Sequence, residues 1–264
     1  YGDHRDLHSF PTRRSSDLNG VMYGAVYLYK ECLKQGIKPI IGCEIYVTAG
    51  SRFIKDADKK EKLAHLILLA ENNTGYKNII KICSKSWTEG YYHKPRADHD
   101  LLLKYHEGII ALSACIGGEL PQAVLKGDLE QARKIIRFYM DTFGKDNYFI
   151  ELQNHGLSEE AAVRPVLAEL AKEYGLGLVA TNDFHYTRKK DAGSQEIKLC
   201  ISTGNTMDDP GRFRFANEEF YCKSGEEMKA LLGNFPGAIE NTARIARSEE
   251  HTSELQSPIH LVCR

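Results

Sequence analysis

Leu178–Tyr186 reads LVATNDFHY, and it shows how this chain places its chemistry. Leu178, Val179, Ala180 and Thr181 have strand character. Asn182 breaks the run, and Asp183 and His185 follow two apart. Residues i and i+2 of an extended segment point the same way. A carboxylate and an imidazole therefore leave the end of a buried strand side by side. That pairing suits a divalent metal, or a general base with its orienting acid. A plainer arrangement uses the same residues, with Asp183 capping the next helix and His185 at the surface.

Outward from this stretch, apolar spacing predicts a helix over Tyr23–Gln35, ended by Gly36, and one over Gly75–Ser86 with Ile79, Ile80, Ile82 and Cys83 inward. Asp128 with Gln131 reads as a capping box. It opens a helix whose inward set is Leu129, Ala132, Ile135, Ile136, Tyr139 and Phe143. Ser158–Tyr174 follows, with an irregular first turn or a kink expected at Pro165. Ala192–Ile201, Glu226–Leu232 and Ala238–Ala246 also read as helical. Strand character marks Pro39–Val47, Gly108–Ser113, Tyr148–Leu152 and Leu176–Thr181, and Leu63–Ala70 is a continuous apolar run around His65. Ser51–Lys62 is a polar, Lys-rich loop, expected to be mobile.

The alternation predicts parallel βα units in a barrel or a doubly wound sheet. Sites in such folds lie at the carboxyl ends of the strands. Cys115, His155, Asp183 and His185 fall just after predicted strands, while Glu44 and His65 fall within them. A carboxylate inside an apolar strand is costly unless paired, metal-bound or facing water at an edge. Singly, His65 and Cys115 suit core packing equally well; together these residues favour a metal site. Trp87–Arg96 (WTEGYYHKPR) mixes aromatics with Lys94 and Arg96. It reads either as a solvated loop or as a nucleic-acid contact through Tyr92, Lys94 and Arg96.

Composition narrows the class. The 264 residues suffice for one large domain or two small ones, and 42% hydrophobic with 27% charged residues is ordinary for a globular protein. Lys plus Arg (35) balance Asp plus Glu (36), so any nucleic-acid contact must be local, weak and salt-sensitive. No apolar run reaches the length of a membrane span, and no secretory signal opens the chain. Seven cysteines without a CxxC pair point to reduced thiols and a cytoplasmic protein.

The two ends read differently. His8–Leu18 is HSFPTRRSSDL and Arg247–Ser257 is RSEEHTSELQS. Ser15–Leu18 can be encoded TCT TCC GAT CT, whose reverse complement AGATCGGAAGA reads into Arg247–Glu250. Ligated sequencing adapters produce such an inverted repeat. Residues 1–18 and 247–264 are therefore set apart as non-native tails, expected to make few buried contacts.

GIKPIIGCEIYV, HLILLAENNTGYKNIIKI, YYHKPR, GIIALSACIGGELP, FIELQNHG, LVATNDFHY, LCISTGNTMDD and EEFYCKSGEEM occur in this order. The series resembles the PHP (polymerase and histidinol phosphatase) domain that opens the DNA polymerase III alpha family of bacterial replicative polymerases. The resemblance implies an α/β fold, a distorted βα barrel truncated here at its first strand or strands. PHP residues would run over 19–210, and 211–246 would lead toward the polymerase region. It implies Glu44, His65, Cys115, Asp183 and His185 as ligands of divalent Zn, Mn or Mg. It also implies metal-assisted phosphate-ester hydrolysis, such as 3′–5′ exonucleolytic proofreading, or else a stabilising role. DNA and the other replicase subunits, a clamp and a proofreading subunit, would be the parent's partners.

The family's HxH and TDHG-like motifs would fall where Tyr1–Leu18 stands, and His4 and His8 do not match them. About half of the ligands and the polymerase carboxylates are thus expected to be absent, and metal affinity and activity to be weak. A free-standing phosphoesterase and a non-enzymatic PHP module are the alternatives. Thr203–Met228, which matches the polymerase continuation, speaks against the first.

Overall fold

Six segments rich in Ile, Leu, Val and Ala pair into one sheet in the computed structural model, which describes residues 20–55 and 63–248. The strands are β1 (Gly42–Val47), β2 (Ala64–Ala70), β3 (Arg96–Ala97), β4 (Ile109–Leu112), β5 (Tyr148–Leu152) and β6 (Gly177–Ala180), in the order β3-β1-β2-β4-β5-β6. β1–β3, β4–β5 and β5–β6 are parallel, whereas β2 is antiparallel to both β1 and β4. The uniformly parallel sheet expected from the βα alternation is therefore corrected at one strand. Among the described residues the sheet is open rather than closed. This is a mixed α/β arrangement.

Alternation sorts the side chains. Cys43, Ile45 and Val47 of β1, Leu66 and Leu68 of β2, and Tyr148, Ile150 and Leu152 of β5 enter the larger core. That core is closed by α2 (Asn73–Thr88), α4 (Glu119–Leu125), α5 (Leu129–Phe143) and α6 (Ser158–Tyr174). Each fully buried aliphatic side chain there is worth about 2 kcal/mol. Ile67, Leu69, Leu112, Phe149 and Val179 form a smaller cluster on the other face. In the paired register, Glu44 opposes Ile67 and Glu151 opposes Val179, so both carboxylates share that second face.

Helix ends follow local chemistry. Asn72 caps α2 by accepting from Gly75 N at 3.0 Å, and Asp128 caps α5 by accepting from Gln131 N at 2.9 Å. α1 (Ala25–Lys34) stops before Gly36, which takes a φ of +66°. α6 runs through Pro165 without a break. The proline is exposed, and so is Ala161, whose carbonyl loses its amide partner on the solvent side of the helix. Leu129 and Ile80, expected inward, are exposed and half-buried. Two short helices escape the periodicity, α3 (His99–Lys104) and α4.

One loop departs from the sequence expectation. Residues 51–55 are not loose: Arg52 pairs with Asp98 at 2.8 Å and with Glu89 at 2.7 Å. The remainder of that loop, 56–62, lies outside the described residues. So do Tyr1–Leu18 and Glu249–Arg264, and with them the expectation for both tails; α9 (Ala238–Ser248) itself continues through Arg247. Between these, α7 (Ala192–Thr203) and α8 (Gly225–Leu232) precede α9. α9 lies along β6, where Asn241 donates to Leu178 O (2.8 Å) and Thr242 to Ala180 O (2.7 Å). These side chains occupy carbonyls that the sheet's edge strand would otherwise expose.

Candidate metal centre

Glu44 does not face water at an edge. β1 lies between β3 and β2, and Glu44 is only 5% exposed. Its Oε1 sits 2.7 Å from His65 Nδ1. Because β2 runs against its neighbours, His65, its second residue, stands at the carboxyl ends of β1 and β4. Cys115 Sγ lies 3.5 Å from the same His65 Nδ1. Ala114 adopts φ +64°, a conformation that costs a non-glycine residue about 1 kcal/mol or more, and it turns the chain so that Cys115 arrives there. Gly117 completes the approach, since a Cβ on it would stand 3.2 Å from His65 Nδ1 and 3.4 Å from Cys115 Sγ.

Asp183 and His185 form the second group, with His185 Nε2 3.3 Å from Asp183 Oδ1. The His185 ring packs on Phe215 and Phe220, at 4.6 and 5.8 Å between centroids. Asn182 donates to Tyr221 O (2.9 Å) and His185 N to Phe220 O (2.8 Å), which ties this loop to the segment before α8. The sequence pairing of Asp183 with His185 is thus present in space.

Glu151 feels the charge of a carboxylate from each group and is not among the residues singled out from sequence. It is 4% exposed. Thr181 Oγ1 and Gln153 Nε2 donate to its Oε1, the latter at 2.8 Å. Its Oε2 is buried and has no hydrogen-bond partner. Burial, and then the negative charges of Asp183 and Glu44, push its pKa up to about 7, against the pull of the Thr181 and Gln153 hydrogen bonds. The rule that marked Glu44, a carboxylate inside an apolar strand, applies equally to YFIEL and would have found it.

His155 is 1% exposed, with Nδ1 2.7 Å from Glu160 Oε1 and a ring stacked on Phe220 at 4.5 Å. Its Nε2 is buried without a partner. Burial acts to raise the Glu160 pKa, but the hydrogen bonds and charge of His155 outweigh it and hold the carboxyl below its usual range.

These residues fit a divalent cation by several observations. The donors are carboxylate, imidazole and thiol, the set that Zn and related ions use. The 2.7 and 3.5 Å separations around His65 lie within the roughly 4 Å spanned by ligands of one ion. An unsatisfied carboxylate oxygen and the Gly117 cradle add to the fit. Among the described residues, no three His, Cys, Asp or Glu side chains already converge as a finished ligand set.

The neighbouring loop is divided in its roles. Lys94 is exposed, with its ammonium 5.3 Å from the Tyr46 ring centroid, and Tyr46 meets His65 edge-on at 5.3 Å. Tyr92 is half-buried. Arg96 departs from the solvated loop expected: it is buried in β3. Its guanidinium donates to the carbonyls of Gly90 (2.9 Å), Arg52 (3.0 Å) and Ile54 (2.8 Å), and packs over Tyr92. It holds the loop in place and is not presented to a nucleic acid.

Among the described residues Cys32, Cys43, Cys83 and Cys200 are free thiols, and no helix is long and apolar enough to cross a membrane. The PHP domain family model matches residues 3–155, a range that opens within the segment set apart as a tail. The DNA polymerase III subunit alpha of Treponema pallidum (strain Nichols) is 47% identical over 234 residues, 87% of this chain and 20% of that protein. The same subunit of Thermus aquaticus is 46% identical over 236 residues (87% and 19%). That of Borreliella burgdorferi is 45% identical over 229 (86% and 20%). The chain spans about a fifth of the length of the curated relatives it matches. On the family match and the fold that carries it, the chain belongs to the PHP domain family.

Proposed function

We propose that this chain is the PHP region of a DNA polymerase III alpha subunit, a cytoplasmic replicase component. Its strand-end cluster would bind divalent Zn, Mn or Mg and hydrolyse phosphodiester bonds at the 3′ end of single-stranded DNA. One observation carries the reading: Glu44, His65 and Cys115 meet around one imidazole nitrogen at the sheet end to which β6 delivers Asp183 and His185. The similarity to polymerase alpha subunits over 87% of the chain supports the parent assignment. DNA synthesis, template contact and partnership with clamp and proofreading subunits belong to that parent. Residues 19–210 would form the PHP domain, with 211–246 leading onward.

Glu44, Asp183, His65, His185 and Cys115 would hold the cations, whose role when bound is to polarise the phosphate and supply a nucleophile near neutral pH. The protein's own part is positioning. Buried β1 and β6 fix the carboxylates, the Gly117 turn sets the His65–Cys115 spacing, and Lys94 offers positive charge for a phosphate beside Tyr46. Tyr92 would stack a base. The second reading is a non-enzymatic PHP module with a stabilising role.

The test is titration of the purified chain with Mn2+ or Zn2+, followed by calorimetry and thermal melting, with a 3′-labelled single strand as substrate. The expected result is a metal-dependent rise in Tm that E44A, H65A and D183A abolish, and slow trimming from the 3′ end that EDTA stops. Metal-dependent melting without trimming selects the structural module. No metal binding at all removes the hydrolytic reading.

A further inference from the structure

We propose that Glu151 is a further carboxylate of the cation centre, supplying its Oε2 to a divalent ion held between Glu44 and Asp183; this rests on the metal-binding reading above. Three observations carry it. Glu151 is only 4% exposed, yet Oε2 has no donor, although a buried carboxylate oxygen left without one is costly. The other oxygen is fixed by Thr181 and Gln153, so the carboxylate cannot turn freely to relieve this. Glu151 also lines one cleft with Cys115, and its surroundings include the charges of Glu44 and Asp183.

Protein dipoles alone do not explain three carboxylates gathered at one end of a sheet with an oxygen left over. A divalent cation does, because it neutralises the cluster and satisfies the orphan oxygen at once. Thr181 and Gln153 then act as the outer hydrogen bonds that orient a ligating carboxylate.

The experiment compares Mn2+ and Zn2+ affinity by calorimetry for the wild-type chain, E151Q, E44Q and T181V, with urea unfolding in EDTA as the folding control. Gln keeps an oxygen for Thr181 and Gln153 but loses the charge. The expected result is at least a tenfold loss of affinity in E151Q, comparable to E44Q, without loss of metal-free stability, and a measurable loss in T181V as well. Wild-type affinity in E151Q with a loss in E44Q overturns this proposal and leaves the metal reading standing. A loss of affinity in E151Q that is matched by a fall in metal-free stability overturns it in favour of a purely structural role. Absence of metal binding by the wild type overturns both.

Discussion

Glu151→Gln should stabilise the metal-free protein, and only above a definable pH. In the folded chain Glu151 keeps its proton up to about pH 7, first because of burial and then because Asp183 and Glu44 repel its negative form. In the unfolded chain it ionises near its ordinary value of 4.5. Between these values the native state binds the extra proton, so stability must fall as pH rises. The contribution is fully present below about pH 4.5 and lost as pH passes about 7. The rise in pKa corresponds to about 3 kcal/mol. Gln has no proton to lose and still accepts from Thr181 and Gln153. Wild type and E151Q should therefore agree near pH 4.5, and the variant should lead by up to about 3 kcal/mol at pH 8.

Urea unfolding in EDTA from pH 4.5 to 8 measures this directly, provided the m-value stays constant. Glu160 serves as the opposite control. Its pKa is held down by His155, so its contribution is present above the unfolded value and lost as pH falls through the folded one. E160Q should cost about 2 kcal/mol at pH 7 and progressively less in acid. A Glu151→Gln deficit that is the same at pH 5 and pH 8 would refute the buried-carboxylate reasoning, because a packing defect has no such pH dependence.

Four further outcomes are expected. Lys94→Ala should weaken single-stranded DNA binding and lower the salt slope by about one, read by anisotropy across salt concentrations, with no change in unfolding midpoint. Arg96→Ala should instead cost about 3 kcal/mol in urea unfolding, because three backbone carbonyls lose a charged donor. Gly117→Ala places a methyl 3.2 Å from His65 Nδ1, and should reduce Zn2+ affinity about tenfold in calorimetry while Tm in EDTA moves little. Thr242→Val removes the donor to Ala180 O and should cost about 1 kcal/mol, with faster amide exchange along β6.

What the sequence reveals about this fold depends on how local the cause is. β5 and α6 have the bounds expected from the pattern, Tyr148–Leu152 and Ser158–Tyr174, because a short buried run and a glycine that ends a helix act within a few residues. α3 and α4 were missed because six or seven residues are too few to show a period of 3.6. Arg96 was misjudged because burial of a guanidinium depends on carbonyls more than 40 positions away, in Arg52 and Ile54. The direction of β2 is the most consequential of these long-range facts. A period of two reads the same in both directions, so no pattern in AHLILLA distinguishes a parallel strand from an antiparallel one. Yet the site depends on it. At about 3.4 Å per residue, a β2 laid in the other direction would put His65 about 14 Å away, near where Leu69 now stands toward the far end of the strand. Glu44 would then be a buried carboxylate without its imidazole. Strand pairing, rather than composition, brings the imidazole to its acid.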